Sequence, residues 1–311
     1  MPDQTKPNAA RPLDWVIFAL VPFFFSTNII FGRGIIGDVA PYTTAFLRWT
    51  GSTLVTLPFI LADRSAAWFF VSRHFWLWLV LGALGMGICG GVVYWSLNYT
   101  TAANGTLIYT TSSLFIILFQ WMFAGRGIGA RELAGMAIAF AGVIVIVLRG
   151  DLSALLHLDF NIGDFGILIA AISFAIYSIL LRQPALQKLK PLSLFGIIAL
   201  SGALVLLPPT IYEIVTGGPM PDEPMDWAKI AGMVAFASLA AFYCFQQTVR
   251  VFGPAQAGVT LYLMPPVSIV MAIVFLGESF AAYHAAGILL VVGGVVLATM
   301  PSKGANKGKA K

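Results

Sequence analysis

Ten long apolar stretches, separated by short polar connections, run through this chain of 311 residues. A helix needs roughly 20 mostly apolar residues to cross a bilayer, and each stretch is about that long. Turn residues such as Gly37-Asp38 and Gly253-Pro254 occupy the connections. The pattern therefore predicts ten membrane-spanning helices, at residues 15–35, 42–62, 76–98, 103–124, 132–149, 164–183, 192–213, 228–249, 256–276 and 282–300.

The pattern repeats itself about halfway along the chain. Pro41 recurs as Pro191 at an offset of 150, and Tyr109 recurs as Tyr262 at an offset of 153. Offsets that drift so little indicate a duplicated unit of five spans. An odd number of spans places the second copy upside down in the membrane, which is a common plan of secondary transporters. We predict an all-α polytopic membrane protein of two inverted five-helix repeats, residues 1–149 and 150–311.

Composition supports a membrane location. Hydrophobic residues make up 59% of the chain and charged residues only 10%, whereas soluble domains carry roughly 25% charged residues. Both cysteines, Cys89 and Cys244, fall inside apolar stretches, and the sequence shows no metal spacing, redox pair or disulfide framework. We predict neither a metal site nor a cofactor. The first apolar stretch lacks a convincing cleavage site, so we interpret it as a retained span.

Basic residues mark one face of the predicted bundle. Of the 18 Lys and Arg residues, 14 fall on the face that carries both termini, 3 fall on the other face, and Arg48 lies inside a span. The positive-inside rule places the basic face in the cytoplasm. We expect cytoplasmic N- and C-termini in a multi-pass protein of the bacterial inner membrane. The net charge of +5 does not indicate nucleic-acid binding, because the basic residues occupy short loops and tails.

Polar side chains repeat at helical spacing on the first, third, fourth, sixth, eighth and ninth spans. In the eighth span, for example, Tyr243, Gln246 and Gln247 share one face. A polar group facing lipid would be unsatisfied. A single stripe is explained by hydrogen bonds between helices, but stripes at corresponding positions of both repeats favour a solvated cavity. The predicted substrate-binding residues are Asn28, Tyr94, Asn98, Tyr99, Tyr109, Tyr177, Tyr243, Gln246, Gln247 and Tyr262.

Four further residues are predicted to serve gating or structure. Arg48 lies roughly 10 Å along the second helix from its outer end. It has three interpretations: a structural clamp or gate, direct contact with a substrate carboxylate, or snorkelling. Glu278, at the outer end of the ninth span, is a candidate partner for it. Pro265 and Pro266 remove two backbone donors from the middle of the ninth span, so that helix must bend or break.

These features resemble the EamA branch of the drug/metabolite transporter superfamily over roughly residues 14–300. The resemblance rests on two five-span repeats, on Leu47-Arg48 in the second span, and on prolines followed by Gly277-Glu278 at the end of the ninth. The first repeat departs from the pattern, because Ser112-Ser113 replaces the prolines and Gly125-Arg126 stands where Gly-Glu is expected. Any role for an acid at the outer mouth therefore rests on Glu278 alone.

Within the superfamily the chain is most similar to bacterial YddG-type exporters of aromatic amino acids. The resemblance implies an inner-membrane carrier whose substrate binds in a central cavity walled by the six striped spans. Its expected partners are the lipid bilayer and small aromatic amino acids or related aromatic metabolites, with no nucleic acid. A monomer suffices, because the duplication supplies internally what a two-subunit carrier gains by antiparallel pairing.

The predicted mechanism is alternating access, with the substrate entering between the two halves from the cytoplasm. A multidrug or general metabolite exporter is the alternative, although the lack of intramembrane carboxylates counts against cationic drugs. An enzyme is disfavoured, because His74, His157 and His284 are scattered and form no catalytic cluster. A sensor is disfavoured by the short tails. The sequence leaves open the exact substrates, the coupling to protons and the oligomeric state.

Overall fold

The structure is a computed structural model that describes residues 10–35, 37–100, 102–125, 127–151, 153, 161–276 and 280–299. Every regular element in these residues is a helix, and they contain no β-strand. Ten helical segments correspond to the predicted spans, and no predicted boundary differs from the observed one by more than four residues. In chain order the segments are Pro12–Arg33, Pro41–Ala62, Phe75–Ser96, Ala102–Thr110 with Ser112–Ala124, Ala130–Val147, Ile162–Leu180, Pro191–Val215, Pro224–Phe252, Pro254–Val259 with Met264–Leu276, and Ala282–Thr299.

The chain is a polytopic helical membrane protein. Eight helices in the described residues are long and apolar enough to cross a bilayer. The apolar part of the first segment, Pro12–Asn28, is shorter, and the ninth segment is divided into short helices. Ten crossings, cytoplasmic termini and the repeat limits at 149 and 150 therefore stay predictions.

Short connections place several of the described basic residues, among them Arg64, Arg73 and Lys190, on one side of the bundle, which we call the basic face. It includes the connection around residues 63–74 and the connection 181–190. A short helix that the apolar pattern did not predict, Arg64–Arg73, lies there. It buries Phe70 and exposes Trp68. The connections 37–40 and 216–223 lie on the other side, which we call the opposite face.

Within the described residues, three of the ten segments contain a π- or 3₁₀-helical stretch. The third contains a π-helical stretch, Ala83–Val92, and the eighth contains another, Met233–Ala240, which begins 150 residues later. A change from the α to the π pattern leaves backbone carbonyls without their usual helical partner, and such stretches are frequent at functional sites. In the ninth segment a 3₁₀ turn, Thr260–Leu263, directly precedes Pro265-Pro266, so the predicted break is present and its cause is the missing proline N–H groups.

The fifth and tenth segments form one close helix pair. A Cβ on Gly135 would lie 2.5 Å from the backbone nitrogen of Ala298, and a Cβ on Gly142 would lie 2.7 Å from that of Val291. Small residues at such a contact allow two backbones to approach and pack without a hydrophobic driving force from water. The glycines at corresponding positions of the two segments thus meet one another at the edge of the bundle.

The second and seventh segments form the other close pair, and each caps the helix of the other. Glu213, at the end of the seventh segment, accepts hydrogen bonds from the backbone N–H groups of Tyr42 and Thr43 at 3.0 and 2.7 Å and from the Thr43 hydroxyl at 2.9 Å. Asp63, after the end of the second segment, accepts one from the N–H of Lys190 at 3.2 Å. These acids are 150 residues apart and so occupy corresponding positions of the two repeats. Each caps the N-terminus of the other segment in this antiparallel pair.

The remaining contacts also recur in corresponding pairs. The first segment packs on the eighth, and the sixth packs on the third. The first also packs on the ninth, and the sixth packs on the fourth. These six segments enclose the centre of the bundle, while the two close pairs support it.

Candidate functional site

A cavity of about 210 Å³ lies at the centre of the bundle. Residues of all six striped spans line it, and Arg48 adds the second segment. Its aromatic side chains are Phe25, Tyr94, Tyr109 and Phe242. Its polar side chains are Asn28, Arg48, Thr100, Thr106 and Thr110. An apolar wall with a few convergent polar groups is typical of a site for a small organic molecule.

Arg48 is the centre of the polar part of this cavity. The residue is 2% exposed. Its Nη1 donates to Asn28 Oδ1 at 3.1 Å and to the Tyr94 hydroxyl at 2.8 Å. The Tyr94 hydroxyl in turn donates to Asn28 Oδ1 at 2.7 Å. The side chain is therefore held inside the protein, and the snorkelling interpretation does not describe it.

The π-helical stretch of the eighth segment supplies the other partners of Arg48. Nη2 donates to the carbonyl oxygen of Ala237 at 2.7 Å, and Nε donates to Ser238 Oγ. The corresponding stretch of the third segment behaves in the same way, because the carbonyl of Met86 accepts from the Trp49 indole at 3.1 Å. The side-chain donors of the second segment thus bind carbonyls within both irregular stretches.

Packed aromatic rings separate the cavity from the basic face. Phe25 and Phe242, with ring centroids 5.3 Å apart, form its floor. Phe174 and Phe245 lie behind them with centroids 4.8 Å apart, and both are fully buried. Nearer the basic face, the ring centroids of Trp15 and Phe252 are 4.8 Å apart. No water-sized path is expected through such close packing.

A second cavity, of about 320 Å³, lies at the opposite face. Tyr94 lines both cavities. Asn98 lines only the second cavity, together with Glu213. The lining of the central cavity is therefore continuous, through Tyr94, with that of a cavity at the opposite face.

The structure brings together three of the predicted binding residues, Asn28, Tyr94 and Tyr109, at the central cavity. Tyr177 lies below the aromatic floor, fully buried, and its hydroxyl accepts from Gln246 Nε2 at 2.9 Å. Gln246 and Gln247 line a small crevice near the basic face, with Arg250. The hydrogen bond from Gln246 to Tyr177 joins the eighth segment to the sixth, as the bond from Tyr94 to Asn28 joins the third to the first.

The other predicted residues lie away from the central cavity. Tyr243 is half-buried against the main core. Tyr262 is fully buried in a smaller core, 6.5 Å from the Phe140 ring. Tyr99 is 53% exposed, and its ring contacts that of Trp95 at a tilt of 53°. A role of these tyrosines in substrate binding stays a prediction.

Two of the predicted gating positions are buried where the ninth segment breaks. Pro265 and Pro266 lie in the first turn of Met264–Leu276. Directly before them, the carbonyl of Met264 accepts from Ser26 Oγ at 3.2 Å. The ninth segment thus uses a carbonyl near its break to bind the first. Glu278 lies outside the described residues.

Sequence reasoning missed the apolar part of the cavity wall. Phe25, Phe242 and Met264 carry no polar signal, and in a chain this apolar they resemble lipid-facing residues. One signal was available, because Phe25 is three residues before Asn28 and Phe242 is four residues before Gln246, on the same helix faces. The native thiol of Cys89 also lines the cavity. The described residues contain no group of three or more His, Cys, Asp or Glu side chains that would hold a metal ion.

A family comparison decides what kind of protein this fold and cavity belong to. The profile of the EamA-like transporter family matches residues 14–148 and again residues 161–300. The chain belongs to the EamA-like transporter family. This result confirms the resemblance carried by the two repeats and by Leu47-Arg48, and it makes the cavity that of a membrane transporter.

Curated relatives of this EamA protein cover most of its length. An uncharacterized transporter of Archaeoglobus fulgidus is 25% identical over 91% of this chain and 96% of its own. The uncharacterized transporter YyaM of Bacillus subtilis is 22% identical over 85% of this chain and 86% of its own. A protein of Streptantibioticus cattleyicolor, named a probable terminal-alkyne amino-acid exporter, is 25% identical over 70% of each chain.

A solved crystal structure has the same fold. It superimposes with a TM-score of 0.74 over 93% of this chain and 97% of its own, at 19% sequence identity. At that identity the likeness concerns the fold alone. It shows that another protein adopts this arrangement of helices.

Proposed function

We propose that this protein is a secondary transporter that exports aromatic amino acids across the bacterial inner membrane by alternating access. The observation that carries the proposal is the central cavity itself. Its wall combines the rings of Phe25, Tyr109 and Phe242 with a polar group around Arg48. An aromatic amino acid has the same division into a ring and a polar end.

The direction of transport is argued from charge and packing. The basic face carries most Lys and Arg residues, so we assign it, with both termini, to the cytoplasm. The aromatic floor closes the cavity on that side, while Tyr94 lines both it and the second cavity on the other. We interpret this arrangement as the state that has closed behind its substrate and is ready to release it outward.

The opposite state would expose the residues that are now closed. Opening on the basic face requires that the rings of Phe174 and Phe245 part from Phe25. The hydrogen bond between Gln246 and Tyr177 lies directly below them. We propose that these two residues line the cavity when it opens to the cytoplasm, which accounts for the polar stripes of the sixth and eighth segments.

The relative from Streptantibioticus cattleyicolor supports an amino-acid cargo, since its name describes an amino-acid exporter. A general metabolite or multidrug exporter is the alternative. The central cavity favours the first reading over a carrier of cationic drugs, because its only charged lining residue among those described is the cation Arg48.

The test is transport by purified protein in liposomes. We expect saturable exchange of labelled phenylalanine, and we expect Tyr94→Phe to raise the KM about fivefold, because it removes a hydroxyl that binds both Arg48 and Asn28. Tyr212→Phe is the matched control, since Tyr212 is 71% exposed and lines neither cavity. Wild-type protein that exchanges other metabolites but no aromatic amino acid would establish the alternative function.

A further inference from the structure

The guanidinium of Arg48 is a buried charge whose bonded partners are all neutral. They are an amide oxygen of Asn28, the hydroxyls of Tyr94 and Ser238, and the carbonyl of Ala237. No carboxylate among the described residues hydrogen-bonds to it. A guanidinium carries five N–H groups, and these four bonds leave capacity for a further acceptor on the Nη2 side.

The rest of the cavity wall does not supply the missing negative charge. Among the described lining residues, Arg48 is the only charged one. Burying an unpaired charge costs free energy that neutral hydrogen bonds recover only in part. Among the described residues, the cavity therefore combines an apolar wall with one buried positive charge that has no carboxylate partner.

We propose that Arg48 binds the single carboxylate of the cargo, and that the cavity requires no amino group on that cargo. The proposal rests on the proposed transport function and narrows its substrate class. A carboxylate accepts two parallel N–H bonds from a guanidinium. One comes from Nη2 and one from Nη1, where the carboxylate replaces Asn28 while Tyr94 keeps its bond to Nη1 and holds the guanidinium in place. The aromatic ring of the cargo then lies against Phe25 and Phe242.

An ammonium group gains little in this cavity. The cavity offers it hydroxyl, carbonyl and ring acceptors but, within the described residues, no carboxylate. It also lies near the like charge of Arg48, which repels it in a medium of low dielectric constant. Arylalkyl carboxylates without an amine are therefore carried at least as well as aromatic amino acids, and arylalkyl amines are not carried.

The native cysteines provide the assay. Cys89 lines the cavity, whereas Cys244 is buried outside it, so Cys244→Ser leaves one thiol that reports occupancy. Reaction of Cys89 with a maleimide is measured in the presence of phenylalanine, 3-phenylpropanoate or phenethylamine, which share a ring and differ in their charged groups. We expect 3-phenylpropanoate to protect at a concentration equal to or below that of phenylalanine, and phenethylamine not to protect.

The outcomes distinguish a failure of the carboxylate site from a failure of the proposed transport function. Equal protection by phenylalanine and phenethylamine, with none by 3-phenylpropanoate, would overturn the carboxylate assignment while leaving an aromatic carrier. Protection by 3-phenylpropanoate alone would support the carboxylate site and refute amino-acid export. Protection by none of the three would overturn both.

Variants test whether the charge of Arg48 is responsible. Arg48→Gln is expected to weaken protection by 3-phenylpropanoate about tenfold or more, and Arg48→Lys, which keeps the charge without the planar fork, by less. If Arg48→Gln does not fold, as judged by size-exclusion chromatography, Arg48→Lys decides, and unchanged protection in that variant refutes bidentate binding. Glu278→Gln is expected to have no effect. A gain of about tenfold there would show that Glu278 already neutralises Arg48 and would overturn the proposal.

Discussion

The acids that cap the second and seventh segments provide a matched measurement of what inter-helix capping contributes to the fold. Glu213→Ala removes two backbone hydrogen bonds and one to the Thr43 hydroxyl. Asp63→Ala removes a single bond of 3.2 Å to Lys190 at an exposed position. The two acids occupy the same place in the repeated sequence, so the comparison isolates the number and quality of the bonds.

The magnitude follows from the geometry. Removal of a helix N-cap costs about 0.5–2 kcal/mol, and a half-buried carboxylate facing the positive end of a helix is at the upper end of that range. We expect about 2 kcal/mol for Glu213→Ala and about 0.5 kcal/mol for Asp63→Ala. At about 2 °C per kcal/mol for a long chain, the unfolding midpoint falls by about 4 °C and about 1 °C respectively.

The assay is thermal unfolding in detergent, followed by tryptophan fluorescence. Glu213→Gln is a second control, because it keeps the shape and one acceptor oxygen but loses the charge, so its midpoint should lie between those of wild type and Glu213→Ala. Equal shifts for Glu213→Ala and Asp63→Ala would refute the reasoning, since they would mean that the three observed bonds contribute no more than one.

Two further comparisons use matched substitutions, one at adjacent glycines and one at repeat-related tyrosines. Gly294→Ala should lower the unfolding midpoint by several degrees, because its Cβ would collide with the backbone of Ala139 in the close helix pair, whereas Gly293→Ala, with open space around it, should not; similar shifts would contradict the close contact. In a cysteine-free background, Tyr109→Cys should react with a small maleimide and Tyr262→Cys should not, because only the first lines the central cavity. Equal reactivity would show that the two repeat-related positions are equally accessible to solvent.

The helical framework was predictable from the sequence because hydropathy responds to lipid over whole segments. Boundaries such as 41–62 and 282–299 follow from where apolar residues stop. The break of the ninth segment was predictable from Pro265-Pro266, since proline acts locally. The π-helical stretches were not, because they are stabilised by donors such as Arg48 and Trp49 that lie far away in the chain.

The sequence predicted which helix faces point into the bundle, but not which positions along those faces line an open cavity. A polar stripe shows that Tyr109 and Tyr262 both point inward, and this is true of each. It does not show which inward positions are open, because that depends on how the two halves pack at a given moment. The repeats are alike in sequence, yet the cavity lies on one side of the aromatic floor, so Tyr94 lines it while Gln246 is enclosed.

One ring shared by two cavities has a kinetic consequence. Tyr94 lines both cavities, and the rotation of a single side chain is far faster than the collective movement of packed helices. We therefore expect release to the outside to require mainly the rotation of the Tyr94 side chain. Entry from the cytoplasm requires a whole cluster of packed rings to separate. We expect the opening of the cavity on the cytoplasmic side to limit the rate of turnover, and the opening on the outer side to be in rapid equilibrium.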